Sequence, residues 1–411
     1  MIALPDEYLN NMKKLLGDSF EEFLSSYDAP PVKGLRFNMK KARKDTVERL
    51  IRQWKLEPVP WCPTGFTFTE CRPGLSPYHD AGVFYMQEPS AMCVAEEAEI
   101  GGSECVLDLC AAPGGKASAA AERCRLLLAN EIHPGRARIL SSNMERMGFG
   151  NTIVCSASPD RLSEILPGQF DTVICDAPCS GEGMMRKDET AAEEWSPGNV
   201  ALCVRRQKMI LSEAAVLVKP GGKLVYSTCT FEEAENEEQI NGFLEEHPEF
   251  RLIRQRRIWP HTEKGEGHYC ALLRKGCSCP TENTEGDPGE LLRCLEKKLA
   301  ASGIHLLRAG IERGNEFTDK RGKKIYEPSH AEIMATAYDL CSCGVNLFSE
   351  QEALRFLHGE VLRLDGQGES SEMKGEEGFC GVYYDGYPLG VGKRAGNTVK
   401  NHLPKGLRRL N

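Results

Sequence analysis

The chain has 411 residues, 41% of them hydrophobic, which is too long for one ordinary domain and apolar enough to build two or three cores. A formal net charge of -9 disfavours a surface that is basic all over, but leaves room for a nucleic-acid enzyme with its positive charge gathered on one face. No apolar run reaches membrane length, and the opening "MIALPDEYLNNMKKLLGDSF" places Asp6, Lys13 and Lys14 where a signal peptide needs an apolar stretch. A cytoplasmic chain with no membrane partner is therefore expected, with its 18 cysteines mostly reduced.

Residues 1–95 open with a helical pattern and continue into the Pro- and aromatic-rich "PVPWCPTGFTFTECRPGLSPYHDAGVFYMQEPSAM". This predicts an α+β segment of short strands and turns, followed by a helix at "PSAMCVAEEAE". From residue 104 the pattern alternates: a strand in "CVLDLC", a Gly-Gly turn and an Ala-rich helix in "AAPGGKASAAAERC", a strand in "RLLLANE", a helix in "RARILSSNMERMG" and a strand in "NTIVCSA". Alternation of this size predicts βαβ units around a parallel sheet, so residues 96–275 are expected to form an α/β, doubly wound, Rossmann-like domain. Two further strands, Val173-Ile174-Cys175 and Leu224-Val225-Tyr226, run into loops that hold Cys179 and Cys229. Residues 276–290, "GCSCPTENTEGDPGE", are polar and rich in turn formers and predict a linker. Residues 291–411 then predict an α+β region, with helices at "LLRCLEKKLAAS", "HAEIMATAYDL" and "SEQEALRFLHGE" and strands near "EVLRL" and "GFCGVYYDGYPLGVGK". The acidic, Gly-rich "DGQGESSEMKGEEG" between those strands predicts an exposed loop.

Four basic clusters stand out against the acidic background: "KKARK" at 40–44, "RLIRQRR" at 251–257, "KRGKK" at 320–324, and the ending "GKRAGNTVKNHLPKGLRRLN", which has six Lys or Arg and no acid. Each is either a solvated face or a nucleic-acid contact, and the last is the strongest candidate for the second role. The C-x-C pairs Cys277/Cys279 and Cys341/Cys343 lack the usual metal-ligand spacing and nearby paired ligands, so no metal is expected.

The turn formed by Cys110, Ala111, Ala112, Pro113, Gly114, Gly115 and Lys116 lies between a strand and a helix, where two glycines let a ligand approach the backbone and the helix N-terminus offers free N–H groups. Glu131 ends the next strand, where an acid can take both hydroxyls of a ribose. The turn fits neither the G-x-G-x-x-G pattern nor a Walker lysine motif, which disfavours a dinucleotide or a nucleoside triphosphate. S-adenosylmethionine fits better, because its sulfonium is positive, it has no phosphates, and Asp108, Glu131 and Asp176 lie around the turn.

These residues carry a resemblance. "LDLCAAPGGKA", "ANE", "DAPCSGEGMMRKD", "RQKMIL" and "LVYSTCTFEEAENE" are similar to the RNA 5-methylcytosine methyltransferases, which include bacterial ribosomal RNA enzymes and the eukaryotic Nop2/Sun proteins. The similarity extends to "GLRFN", "YMQEPSAM" and "RIWPHTEKGEGHYCALLRK". The ending "YPLGVGKRAGNTVKNHLPKGLR" resembles the C-terminal module of RsmF-type 16S ribosomal RNA methyltransferases.

The resemblance implies a class I methyltransferase domain preceded by an RNA-facing segment and followed by a PUA-like module. It implies a monomer acting on 16S ribosomal RNA or the small ribosomal subunit; transfer RNA and a non-catalytic assembly role are the alternatives. Carbon 5 of cytosine is a poor nucleophile, and thiolate addition to carbon 6 makes it reactive. In the family's terms Cys229 is the attacking nucleophile, Cys179 assists breakdown of the adduct, and Asp176 hydrogen-bonds the cytosine ring edge and nitrogen 3 and also lies near the cofactor. Arg136 joins the cofactor set, and Lys187, beside Arg186, is a candidate phosphate contact. A DNA-type enzyme would use Cys179 as nucleophile and has no need of Cys229. Two departures stand out: Ala117 replaces the Thr often found after the Gly-Gly-Lys turn, and only Ser158 or Asp160 is available for a further cofactor contact after the third strand.

Overall fold

The computed structural model describes residues 4–277, 287–318, 320, 322–364 and 371–409. The N-terminal segment forms an antiparallel sheet of β1 (Lys33–Phe37), β2 (Glu57–Val59), β3 (Cys62–Phe68) and β4 (Phe84–Met86), in the order β2-β3-β1-β4. Side chains alternate faces along a strand, so Leu35 and Phe37 enter one core while Arg36 points the other way. Arg36 is 1% exposed and reaches the central domain, donating to Glu122 at 3.0 Å and Ser118 at 2.7 Å, and within its own segment it donates to Gln87 at 3.1 Å.

The central sheet has five parallel strands, β5 (Cys105–Asp108), β6 (Leu126–Asn130), β7 (Thr152–Ser156), β8 (Phe170–Asp176) and β9 (Val218–Thr228), with β10 (Phe250–Ile258), β11 (His268–Lys275) and β12 (His305–Ala309) added antiparallel. The order is β10-β11-β9-β8-β5-β6-β7-β12. β6 is buried at all five positions because helices cover both faces, which explains its unbroken apolar run. The chain winds outward from β5 to β7, then returns to β8 on the other side. The carboxyl ends of β5 and β8 therefore flank the crevice where ligands bind in open α/β sheets.

One boundary differs from the expectation. The helix Pro288–Ala301 and β12 do not open a separate C-terminal region: β12 pairs with β7, and Leu299, fully buried, joins the core beneath the central sheet together with Leu292, Leu295 and Leu306. Without β12 the β7 edge would present unpaired backbone groups. The polar composition of 276–290 concealed this; residues 278–286 of that stretch lie outside the described residues.

Beyond β12, the ribbon β13 (Asn315–Thr318) and β14 (Lys324–Glu327) precedes a six-stranded sheet of β15 (Gly344–Leu347), β16 (Leu362–Arg363), β17 (Ser371–Lys374), β18 (Gly378–Tyr384), β19 (Tyr387–Ala395) and β20 (Thr398–Asn401), in the order β16-β20-β19-β18-β15-β17. β17 corrects the expected loop at "DGQGESSEMKGEEG": despite their polarity, Ser371–Lys374 pair with β15 and satisfy its outer backbone groups. Residues 365–370 of that stretch are outside the described residues. The sheet shares one core with the N-terminal segment, where Leu35, Phe37, Tyr78 and Phe84 pack with Phe356, Val382 and Leu389.

Contacts between distant segments settle the fate of most basic clusters. Lys41 donates to the carbonyls of Ala81 and Arg146, Arg49 and Arg43 pair with Asp385, and Arg409 pairs with Asp80 and donates to Leu75 O. Arg254, Arg256 and Arg257 pair with Glu99, Glu263 and Glu237. In contrast, Lys320 and Lys324 on the β13–β14 ribbon are exposed and form no ion pair among the described residues. Among the described residues no helix is long and apolar enough to cross a membrane.

Candidate active site

β5 ends at Asp108 and passes through Cys110 and Ala111 into the turn. Gly114 has φ +117°, and a Cβ there would lie 3.1 Å from Met144 Cε and 3.3 Å from Leu140 Cδ1, so both backbone and packing require glycine. Asn130, at the end of β6, ties three strand exits together: its amide donates to Leu109 O and Ala157 O at 3.0 Å each, and its oxygen accepts from Ala157 N at 3.0 Å. The next residue, Glu131, is 3% exposed. Its Oε1 accepts from His133 N at 3.0 Å and its Oε2 lies 3.6 Å from Arg136, which also donates to Ala112 O at 2.9 Å. Arg136 thus fixes the turn to the helix Pro134–Met147.

Asp108 is fully buried, and neither carboxylate oxygen has a hydrogen-bond partner of good geometry. Burial, reinforced by the nearby Asp176 carboxylate, pushes its pKa up to about 8. A buried acid with no well-placed donor suits a site that receives a positive group. With the Gly114 turn and the buried Glu131, the residues present fit S-adenosylmethionine, whose bound form carries a sulfonium and a ribose.

β8 and β9 are parallel neighbours with Asp176 in register with Ser227, so their exit loops run side by side. The result is a pair of thiols: Cys179 Sγ and Cys229 Sγ are 3.4 Å apart. A hydrogen bond with Cys229, together with burial, pushes the Cys179 thiol well above its usual range, so it is neutral at physiological pH. Beside them, Lys116 donates to Asp176 Oδ2 at 2.7 Å and the Ser227 hydroxyl donates to Oδ1 at 2.8 Å. Burial alone would raise the Asp176 carboxyl, but the Lys116 ammonium, with help from His268 and Ser227, holds it below the ordinary carboxylate range. Burial likewise opposes the charge on Lys116, yet Asp176, Cys229 and Asp108 outweigh it and raise its pKa.

Cys110, which follows β5, is hydrogen-bonded to Cys175; that bond and burial push its thiol well above the usual range, so it is packed rather than reactive. Lys187 is half-buried with no side-chain partner among the described residues. Arg186 has a structural role, donating to both oxygens of Glu266 at 2.7 and 2.9 Å. Ser158 precedes the helix Pro159–Ile165, and its hydroxyl holds the exposed Asp160 carboxyl below the usual range. Among the described residues no three His, Cys, Asp or Glu groups cluster as a metal site would require.

Several residues in the site carried no sequence signal strong enough to single them out. His268, the first residue of β11, is buried with Nε2 3.9 Å from Asp176 Oδ1, and burial with the neighbouring Lys116 lowers its pKa to about 3. It is therefore a neutral imidazole. Gln207, within "RQKMIL", donates to Pro178 O at 3.0 Å and so supports the Cys179 loop. Both lie in stretches that carried the family resemblance, which was the available clue to them.

Residues 98–274 match the family model described as 16S rRNA methyltransferase RsmB/F, residues 4–89 that of the N-terminal domain of 16S rRNA methyltransferase RsmF, and residues 345–409 that of the methyltransferase RsmF PUA domain. The ribosomal RNA small subunit methyltransferase F of Aliivibrio fischeri is 31% identical over 99% of this chain and 98% of its own length, and that of Erwinia tasmaniensis is 29% identical over 99% and 97%. A solved structure of a methyltransferase homolog protein from Pyrococcus horikoshii, 26% identical, covers 67% of this chain and 96% of its own, with a TM-score of 0.60. With the turn, the acids and the thiol pair assembled at the switch point of such a sheet, the chain belongs to the ribosomal RNA small subunit methyltransferase F family of S-adenosylmethionine-dependent enzymes.

Proposed function

We propose that this chain methylates carbon 5 of cytosine in 16S ribosomal RNA through a covalent adduct on Cys229. The observation that carries the reading is the pair of sulfurs 3.4 Å apart at neighbouring strand exits, beside the Lys116–Asp176 ion pair. Two thiols in contact suit a reaction that must first make and then break a bond to one ring. S-adenosylmethionine supplies the methyl group, and the residues that would hold it are the 110–116 turn, Glu131, Arg136 and the acids Asp108 and Asp176.

Cys229 adds to carbon 6, breaking the ring's 5,6 double bond and placing electron density on carbon 5. Asp176, held ionised, is an acceptor and takes the hydrogen bond of the exocyclic amine. Lys116 beside it is the nearest cation to balance negative charge developing on the ring. After methylation water takes the proton from carbon 5, the double bond reforms, and the bond to Cys229 breaks with its electron pair returning to that sulfur; the proton released to water makes good the one that Cys179 then gives up. Cys179, kept neutral by its surroundings, is the closest group to that sulfur and returns a proton to it. The base must leave its stack to reach these groups.

The chain alone, mixed with S-adenosylmethionine and a 16S ribosomal RNA transcript, tests this division. Cys229→Ala should give no methylation and no covalent complex. Cys179→Ala should stop turnover but leave RNA bonded to Cys229, visible as a heavier band on a denaturing gel that RNase collapses. The reverse pattern assigns attack to Cys179 as in DNA enzymes, and full activity in both variants removes the thiol mechanism. Transfer of methyl groups to a transfer RNA transcript but not to 16S RNA would overturn the substrate.

A further inference from the structure

The loops that deliver the two thiols are joined by buried carboxylates crossing in opposite directions. Glu182, three residues past Cys179, is 1% exposed; its Oε2 accepts from the backbone N–H of Phe231, two residues past Cys229, at 2.8 Å. Its Oε1 accepts from the Trp195 indole at 2.9 Å. Glu235, six residues past Cys229, is fully buried, and its Oε2 accepts from the backbone N–H of Ser180, next to Cys179, at 3.0 Å and from Gln207 at 2.7 Å. Between the two acids the hydroxyls of Ser180 and Thr230 meet at 2.7 Å, and Gly183 N donates to Cys229 O at 2.9 Å. A Cβ on Gly183 would stand 3.0 Å from that same carbonyl.

Packing alone gives no reason for two acids here, since removing a carboxylate from water costs free energy that an apolar side chain would not. That cost is visible: burial pushes Glu182 up to about 7 and raises Glu235 as well. What the acids provide is direction. Each reaches from its own cysteine loop to a backbone N–H of the other, so neither loop can shift against the other without breaking a buried hydrogen bond. Each also bonds a third element, Trp195 or Gln207, which anchors the pair to the surrounding fold. Neither acid is hydrogen-bonded to Cys179, Cys229, Asp176 or Lys116.

We propose that Glu182 and Glu235 are positioning residues, a reciprocal clasp that holds the Cys179 and Cys229 sulfurs in contact so that one can act on an adduct carried by the other. The proposal rests on the two-thiol reading of the reaction, but the clasp has a geometric readout of its own. Diamide, an azodicarboxamide oxidant, takes up two hydrogens to become a hydrazine while two thiols become a disulfide. Its rate of linking Cys179 to Cys229, followed by peptide mass mapping in the full chain, measures how the sulfurs are held whatever the reaction.

The hydrogen-bond pattern makes the test asymmetric. Both Glu182 oxygens accept from N–H donors, so in Glu182→Gln the new NH₂ must face one of them. At Glu235 both donors share Oε2 and Oε1 has no partner, so Glu235→Gln can keep its carbonyl where it is needed. Glu182→Gln and Glu235→Ala should slow the Cys179–Cys229 link at least tenfold and lower kcat on 16S RNA about 100-fold, the scale expected for a 1 Å misplacement. KM for RNA and for S-adenosylmethionine should stay within about twofold, because both carboxylates are buried away from the surface that a substrate reaches. Glu235→Gln should recover both rates relative to Glu235→Ala.

An unchanged cross-linking rate in Glu182→Gln overturns the clasp. So does a kcat loss matched by an equal loss of S-adenosylmethionine affinity, which marks general unfolding of the site. A slowed link with unchanged methylation keeps the clasp as geometry but overturns its role in catalysis, and points back to the two-thiol reaction itself.

Discussion

Asp108 offers a test of the site that needs neither cofactor nor RNA. The carboxyl is fully buried at the end of β5, has no well-placed donor, and lies near the Asp176 carboxylate. Burial first and Asp176 second push it from 3.8 up to about 8, with Lys116 only partly offsetting them. An acid with a raised folded pKa is favoured in its neutral form by the fold. Its contribution to stability is therefore full below about pH 4 and is lost as the pH rises through about 8. Within that window each pH unit removes about 1.4 kcal/mol, so the loss between pH 5 and pH 7 from this group alone is on the order of 3 kcal/mol.

Asp108→Asn keeps the shape and is neutral at every pH, so the variant should gain on the wild type by that amount across the interval. Urea unfolding of the cofactor-free protein at pH 5 and pH 7, followed by tryptophan fluorescence, gives both differences, and subtracting them removes every other titrating group. A stability difference, variant minus wild type, that does not rise with pH would refute the reasoning, and one that falls would reverse its sign. Affinity for S-adenosylmethionine should carry the same signature, strengthening between pH 6 and pH 8 in the wild type but not in Asp108→Asn, because a neighbouring cation favours the ionised acid.

Glu131→Ala should weaken S-adenosylmethionine binding by about 1.5 to 3 kcal/mol in calorimetry, through loss of a charge-assisted acceptor, and unchanged affinity would remove Glu131 from the cofactor set. Arg36→Met should destabilise the full chain by about 3 to 5 kcal/mol in urea unfolding, because Glu122 loses its partner in a largely buried pair; a change under about 1 kcal/mol would mean the pair is solvated. Lys320→Glu combined with Lys324→Glu should weaken RNA binding and flatten its dependence on salt, with S-adenosylmethionine affinity unchanged. An unaltered salt slope would leave the ribbon as an ordinary solvated surface. Truncation after Leu389 should unfold the C-terminal sheet rather than only weaken RNA binding, since it removes most of β19 and all of β20; retained near-ultraviolet circular dichroism would contradict this.

What the sequence determined by itself is what neighbours along the chain decide. The strand–helix alternation from 104 onward, the unbroken apolar run of β6, the Gly-Gly turn at 114–115 and the placement of Cys179 and Cys229 at strand exits all follow from local periodicity and backbone sterics. Family resemblance added chemistry to those places because its motifs are themselves short and local. Tertiary structure alone decided which groups meet. The basic runs at 40–44 and 251–257 looked like surface charge, yet most of their cations find carboxylates or carbonyls far away in sequence, as Arg43 does at Asp385 and Arg254 at Glu99. The polar stretch at 276–290 looked like a boundary, yet the chain beyond it returns to close the β7 edge. The contact between the two sulfurs, the neutral His268 beside Asp176, and the crossed bonds of Glu182 and Glu235 likewise join segments from different strands. A sequence records how strongly each residue prefers burial or a turn, but hydrogen bonds and ion pairs depend on separations of a few ångströms, which exist only once the sheet order has brought distant strand ends together.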